Sequence, residues 1–395
     1  MTPAPFDSSP RTRLIFGPGT LGRIGHLAAE LGGRRVLVVT DSGIEATGHV
    51  DRTVNLLRAC GLEVAVYAGV RGNPTTLDVN RCLEVARAFS ADLLIGLGGG
   101  SSMDTAKGVN FLLTNGGEMR DYQGVGKATR PMLPLIAVPT TAGTGSECQS
   151  ATLIADETTH LKMACLDSKA AAKIAILDPV LTVSQPRRVT ALTGVDALVH
   201  SIESAVTTRR TPLSAIYSRE AFRLCVNGLE RVLLEPENLD ARGTMLLGAA
   251  FAGMAIENSM LGAAHAAANP LTAGYGVLHG AAVGLMLPSV ICYNAVDPVV
   301  RGLYVDLAVS AGLAEANGDP ERIISDLLRV LARLQLAAGI PQTLEEAGVD
   351  IGAISELALE AAGQWTGGFN PRPVNAEAFI GLYQSAASRG VDCRA

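Results

Sequence analysis

Between residues 13 and 178 short apolar runs alternate with longer amphipathic ones. Residues 35–40, 63–67, 92–97 and 134–138 are nearly continuous in Val, Leu, Ile and Ala, whereas stretches such as 76–89 carry apolar residues at helical spacing. Strands that are apolar on both faces and separated by helices predict a parallel sheet covered on both sides. Residues 150–165 read as a hairpin, with 151–154 and 161–164 flanking Asp156-Glu157-Thr158-Thr159. After Asp178-Pro179 and Gln185-Pro186 the strand pattern stops. From Arg188 onward the chain is rich in Ala, Leu and Glu at helical spacing, with breaks expected at Pro212, Pro236, Pro270, Pro298, Pro320 and Pro341. A last helix is expected over 376–388.

The 395 residues exceed the roughly 250–300 at which single cores stop growing, so two domains are expected. The pattern places them at 1–185, an α/β domain with a mostly parallel sheet, and at 186–395, an all-helical domain. With 48% hydrophobic and 18% charged residues, both read as well-packed globules. A net charge of -6 without a basic run argues against nucleic acid or an anionic membrane as partner. The seven cysteines are scattered and lack any Cys-x-x-Cys, so no disulfide framework or cysteine zinc site is expected and a reducing cytoplasm fits. The N-terminus shows no basic segment followed by an apolar one, hence no signal peptide. The apolar run at 246–256 reads as too short to span a bilayer.

Chemistry is concentrated in five places. In a helix over 188–205, Asp196 and His200 stand at i and i+4, leave the same face one turn apart and can grip one ion. His265 lies among small residues in Leu261-Gly262-Ala263-Ala264-His265-Ala266-Ala267-Ala268-Asn269-Pro270, with nothing nearby to pair a buried imidazole. His279 sits at an expected helix start between Gly276 and Gly280. One Asp and three neutral His form an N3O set suited to Fe(II), Zn(II), Co(II) or Mn(II); a set of buried, hydrogen-bonded core residues is the alternative. His26, His49 and His160 carry no ligand spacing and are expected at the surface.

The other two places are glycine loops leaving apolar strands. Leu97-Gly98-Gly99-Gly100-Ser101-Ser102-Met103-Asp104-Thr105-Ala106-Lys107 opens a helix whose first N–H groups can hold a phosphate. It is neither the G-x-G-x-x-G fingerprint nor a Walker A loop, and a plain turn with Ser101 and Asp104 as a capping pair is the competing reading. Pro139-Thr140-Thr141-Ala142-Gly143-Thr144-Gly145-Ser146-Glu147 is the second. Open α/β sheets bind ligands at strand C-terminal ends, and two such loops favour a dinucleotide. Asp41, after the strand at 35–40, can accept from an adenosine ribose, and its charge disfavours a 2′-phosphate, so NAD is expected over NADP. Trp365 and Phe369 read as core or as cleft lining, and Cys148 as a small buried hydrophobe.

Taken in order, Gly98-Gly99-Gly100-Ser101-x2-Asp104-x2-Lys107, Pro139-Thr140-Thr141-x-Gly143-Thr144-Gly145-Ser146-Glu147, Gly194-Val195-Asp196-Ala197-Leu198-x-His200, and His265 with His279-Gly280 resemble the iron-containing, or group III, alcohol dehydrogenases over residues 12–388. The resemblance implies an N-terminal dinucleotide domain, a helical C-terminal domain and a metal in the cleft between them. It implies Asp196, His200, His265 and His279 as ligands, with Fe2+ first and Zn2+, Co2+ or Mn2+ as alternatives. For the cofactor it implies Gly98, Gly99, Gly100, Ser101, Ser102, Thr140, Thr141 and Thr144 around the pyrophosphate and nicotinamide ribose. Asp41 and Asn73 fall on the adenosine side, Lys162 near the nicotinamide ribose and Leu181 near the adenine.

The implied activity is hydride transfer between a nicotinamide cofactor and a small alcohol or aldehyde, assisted by a Lewis acid. A dimer through strands near 12–17 is also implied. Two positions depart from many relatives: Asn269 stands where they carry a His, and Gln149 where they carry a Thr. The proton route and substrate preference are where these departures bear. Competing readings are a glycerol-dehydrogenase-like or dehydroquinate-synthase-like member of the same superfamily, and a metallohydrolase of a phosphorylated substrate.

Overall fold

The computed structural model describes residues 6–159 and 161–388. The chain divides into two compact units, Ser9–Gln185 and Pro186 onward together with the segment up to Ser8.

All strands among the described residues lie in the first unit. They are β1 (Arg13–Phe16), β2 (Arg35–Val39), β3 (Glu63–Tyr67), β4 (Leu93–Gly98), β5 (Gly124–Val125), β6 (Leu135–Pro139), β7 (Ala151–Ala155), β8 (Lys162–Leu166) and β9 (Ile174–Leu177). Six form a parallel sheet in the order β1-β9-β6-β4-β2-β3. Its helices are α1 (Ile24–Glu30), α2 (Ser42–Ala46), α3 (His49–Ala59), α4 (Thr76–Phe89) and α5 (Gly100–Asn115).

Alternation along each strand explains why the apolar runs are continuous. Val36, Val38, Leu93, Ile95 and Ile136 pack with Ile24, Leu27, Val54 and Leu57 on one face. Leu37, Val39, Leu94 and Ala137 pack with Val79, Leu83, Met103 and Val109 on the other. The helix expected at 76–89 begins where Thr75 and Asp78 form a capping box. The expected hairpin is antiparallel β7–β8, and Asp156 accepts from the N–H groups of Thr158 and Thr159 in its turn. A short parallel pairing adds β5 to β8.

The second unit is helical: α6 (Arg187–Val206), α7 (Pro212–Leu234), α8 (Leu239–Glu257), α9 (Ala263–Tyr275), α10 (His279–Ala295), α11 (Pro298–Ser310), α12 (Pro320–Ala337), α13 (Ile354–Ala362) and α14 (Ala376–Ala387). From Gly194 to Val206 every residue of α6 is buried, and α7, α8, α10 and α11 pack around it. Pro212, Pro298 and Pro320 occupy first helical positions, as expected of breaks.

Three expectations are corrected. Pro270 does not end a helix but lies inside α9. Ala266, Ala267 and Ala268 in the turn before it are buried, which offsets the roughly 3 kcal/mol cost of an interior proline, and the Tyr383 hydroxyl donates to the Ala267 carbonyl at 2.7 Å. The apolar run at 246–256 extends into α8, which is long and apolar enough to cross a membrane by length and composition; it packs against α6 and α7. Cys292 is disulfide-bonded, although the cysteine spacing carries no sign of pairing.

Candidate metal centre and cofactor cradle

Helix α6 carries Asp196 and His200 one turn apart, and His200 Nε2 lies 3.3 Å from Asp196 Oδ1. His265, in the first turn of α9, brings its Nε2 to 3.7 Å from the same oxygen. His279, the first residue of α10, brings its Nε2 to 3.6 Å. Ligand atoms of Asp196, His265 and His279 all lie within 4.8 Å of one another. The His200 and His265 rings stack at 4.9 Å between centroids. Three nitrogens from three helices thus surround one carboxylate oxygen.

Helix packing produces this convergence. A Cβ at Gly280 would meet the Leu192 carbonyl oxygen at 2.1 Å, and one at Gly284 would meet Val195 at 2.8 Å. Only glycine lets α10 approach α6 closely enough to bring His279 beside Asp196.

The donor set fits a divalent ion. Asp196 Oδ1 and His265 Nε2 are buried without a hydrogen-bond partner, a costly state for polar atoms that coordination relieves. Burial alone raises the Asp196 carboxyl, but the three surrounding imidazoles outweigh it and hold the group well below the ordinary carboxylate range. Burial lowers the His265 imidazole, yet the Glu203 and Asp196 carboxylates prevail and raise it to about 9.

Glu203 is the residue that sequence reading missed. One oxygen sits 2.5 Å from His265 Nδ1 and the other accepts from Ala264 N–H at 2.7 Å. This corrects the expectation that nothing could pair the buried imidazole. The signal was present: residues 196, 200 and 203 follow i, i+4, i+7 on one helix face. One turn beyond His265, Asn269 donates its amide to Gln364 Oε1 at 2.9 Å. Trp365 is 44% exposed and meets Phe369 edge-on, so it is not a core residue.

In the first unit the two glycine loops lie side by side because β4 and β6 are neighbours. Gly98 pairs with Pro139, and Thr140 N–H donates to the Gly98 carbonyl at 2.9 Å. Gly98 has φ +148, and a Cβ there would lie 2.4 Å from Ser102 Oγ and 3.5 Å from Asp41 Oδ2. A Cβ at Gly100 would meet Thr144 at 2.8 Å, and one at Gly99 would touch Thr141 at 3.5 Å. The structure therefore brings together Asp41, Gly98, Gly99, Gly100, Ser102, Thr140, Thr141 and Thr144. Ser101 follows in the first turn of α5, which no side chain caps. Ser102 Oγ and Thr141 Oγ1 are buried with no hydrogen-bond partner, an arrangement a phosphate or ribose would satisfy.

Asp104 does not cap α5. Its carboxylate accepts from Ser146 Oγ at 2.8 Å and Leu153 N–H at 3.1 Å, tying α5 to the second loop and to β7. Asp41 caps α2 through Oδ1, which accepts from Ile44 N–H at 3.0 Å. Asn73 holds φ +53, a left-handed conformation rare outside glycine. Lys162 is exposed at the start of β8, whereas Leu181 is fully enclosed in the hydrophobic cluster beneath α1 and α3. Gln149, at the second point of departure, donates to the Thr144 carbonyl at 2.8 Å and so braces the loop. Cys148 is buried as expected, His26 is exposed, and His49 is half-buried with its Nε2 3.0 Å from Ser184 Oγ. His160 lies outside the described residues.

A glycine-loop cradle at parallel-strand ends and a helix-borne N3O site define a class: metal-dependent, dinucleotide-linked oxidoreductases. Residues 10–179 match the model for iron-containing alcohol dehydrogenase, and residues 190–387 match that for the Fe-containing alcohol dehydrogenase family, C-terminal. The 1,3-propanediol dehydrogenase of Klebsiella pneumoniae is 33% identical over 383 residues, covering 94% of this chain and 96% of its own. The NAD-dependent methanol dehydrogenase of Bacillus methanolicus is 31% identical, covering 94% and 97%. The crystal structure of a 1,3-propanediol oxidoreductase superposes with a TM-score of 0.92 at 32% identity, covering 95% of this chain and 98% of its own. The chain belongs to the iron-containing alcohol dehydrogenase family, and it is a metal-dependent oxidoreductase acting between a nicotinamide cofactor and small alcohols or aldehydes.

Proposed function

We propose that the chain uses NAD in preference to NADP and Fe2+ as its native metal, held by Asp196, His200, His265 and His279. The observation that carries the metal assignment is the buried Asp196 oxygen with three imidazole nitrogens within 3.7 Å. An ion held by these four residues would supply Lewis-acid chemistry toward a substrate oxygen, and a bound nicotinamide would supply the hydride chemistry.

The chain's own residues do the rest. Gly98, Gly99, Gly100, Ser101 and Ser102 leave backbone and hydroxyl donors open to the pyrophosphate at the start of α5. Thr140, Thr141 and Thr144 support the facing side. Asp41 turns Oδ2 toward Gly98, where it accepts from ribose hydroxyls and repels a 2′-phosphate. Asn73 and Lys162 serve the two ribose ends, and Leu181 backs the adenine wall from within the core. Asn269, which donates to Gln364, relays no proton, since an amide does not titrate.

Small primary alcohols and aldehydes are the proposed substrates. A dimer is proposed through β1, the outer strand of the sheet, where Phe16 is exposed. A cytoplasmic location is proposed as well.

The test is oxidation of NADH and NADPH with a panel of short aldehydes, before and after metal removal and after return of Fe2+, Zn2+, Co2+ or Mn2+. Turnover that is lost on chelation, restored best by Fe2+ and faster with NADH supports the reading. Full activity of verified metal-free protein would overturn the metal assignment, and a preference for NADPH would overturn the cofactor assignment.

A further inference from the structure

We propose that Glu203 is a positioning residue of the metal centre, setting both the tautomer and the orientation of His265; this rests on the metal reading above. Glu203 follows Asp196 by two turns on α6 and is 3% exposed. An ionised carboxylate only accepts, so the 2.5 Å approach of Glu203 Oε2 requires His265 Nδ1 to carry the ring hydrogen. The lone pair of the neutral ring then lies on Nε2, the atom facing Asp196 Oδ1 at 3.7 Å.

The second carboxylate oxygen fixes the helix that carries the ring. Glu203 Oε1 accepts from Ala264 N–H at 2.7 Å, one residue before His265. The preceding amide, Ala263 N–H, donates to Asn370 Oδ1 at 3.3 Å. Asn370 is itself held by a reciprocal amide pair with Asn294, at 3.1 and 2.8 Å. No side chain of α9's own N-cap, Gly262, caps the helix. A Cβ there would come within 3.1 Å of both Glu203 Oε1 and Asn370 Oδ1. The start of α9 is thus anchored from outside, and the same carboxylate sets the phase of the helix and the face of the imidazole.

Glu203→Gln separates the two tasks. The Gln carbonyl oxygen can still accept from Ala264, but its amide offers Nδ1 a donor. This favours the tautomer with hydrogen on Nε2, which cannot ligate. Zinc binding would be measured by competition with a chromophoric chelator on the metal-stripped chain, alongside thermal unfolding of the same metal-free protein. The expected result is a roughly 10- to 100-fold weaker zinc Kd with the metal-free Tm little changed. In a His265→Ala background, Glu203→Gln should weaken binding no further.

Unchanged zinc affinity in Glu203→Gln, or an equal loss on both backgrounds, would overturn the proposal. Should the variant fail to fold, 15N imidazole spectra of the zinc-loaded wild-type chain decide: hydrogen on Nδ1 of His265 supports the assignment, and hydrogen on Nε2 overturns it. A wild-type chain that binds no divalent ion would instead fail the underlying metal reading.

Discussion

The ammonium of Lys107 lies 2.7 Å from the carbonyl oxygen of Ser146 and 2.8 Å from its hydroxyl, so a fully buried charge on α5 holds the second glycine loop in place. A third acceptor, the Ala151 carbonyl at 2.9 Å, starts β7. Lys107→Met removes donors to two buried acceptors on Ser146 and to the part-buried Ala151 carbonyl, and takes away the positive charge that lowers the Asp104 carboxyl. A loss of about 3–5 kcal/mol is expected, read by denaturant unfolding. Because the loop lines the cofactor cradle, KM for the dinucleotide should rise in the folded fraction. Unchanged stability would show that the clamp does not hold the loop.

Glu147, at the end of that loop, gives a pH dependence. Burial pushes its carboxyl up to about 7 from an ordinary value of 4.5, against the opposing charge of Lys107. Between those two values the folded chain holds a proton that the unfolded chain has released. Its contribution to stability is therefore fully present below about 4.5 and is lost as pH rises through about 7. At about 1.4 kcal/mol for each pH unit separating the two values, the loss across the window is on the order of 3 kcal/mol. Glu147→Gln should flatten this slope and unfold at higher temperature than wild type above pH 7; Tm profiles that coincide would refute the assignment.

Gly280 tests whether helix approach builds the metal centre. A Cβ 2.1 Å from the Leu192 carbonyl oxygen meets backbone, which cannot swing aside as a flexible side chain would. Gly280→Ala should cost about 1–3 kcal/mol and lower bound metal per chain by displacing His279. Metal analysis of the purified variant checks this, and full occupancy at wild-type stability would count against it.

Asp41→Asn addresses cofactor choice without disturbing the fold. Asn caps a helix as well as Asp does, so the hydrogen bond to Ile44 N–H should survive while the charge facing Gly98 is removed. The ratio of kcat/KM for NADH over NADPH should fall about tenfold, equivalent to about 1.4 kcal/mol. A ratio that does not move places the discrimination elsewhere.

What could be read in the sequence was whatever a single element decides. The two-faced strands announced a covered parallel sheet because alternate residues of one strand face opposite layers, as Val36 and Leu37 do. The helix over 76–89 and the Asp196–His200 pair needed only the phase of one helix. The glycine loops followed from where β4 and β6 end. Residue types grouped His265 and His279 with the pair as candidate ligands and the family motifs named all four, but spacing alone could not bring them together. Tertiary structure decided what depends on two elements meeting. Glu203 reaches a histidine 62 residues away, Pro270 survives inside α9 where the turn before it is buried, and Asp104 ties down the loop opposite and caps nothing. Three imidazoles converge on one oxygen because the contact of Gly280 with Leu192 sets the distance between α10 and α6. Local periodicity fixes which way a side chain points along its own helix; only packing fixes what stands opposite.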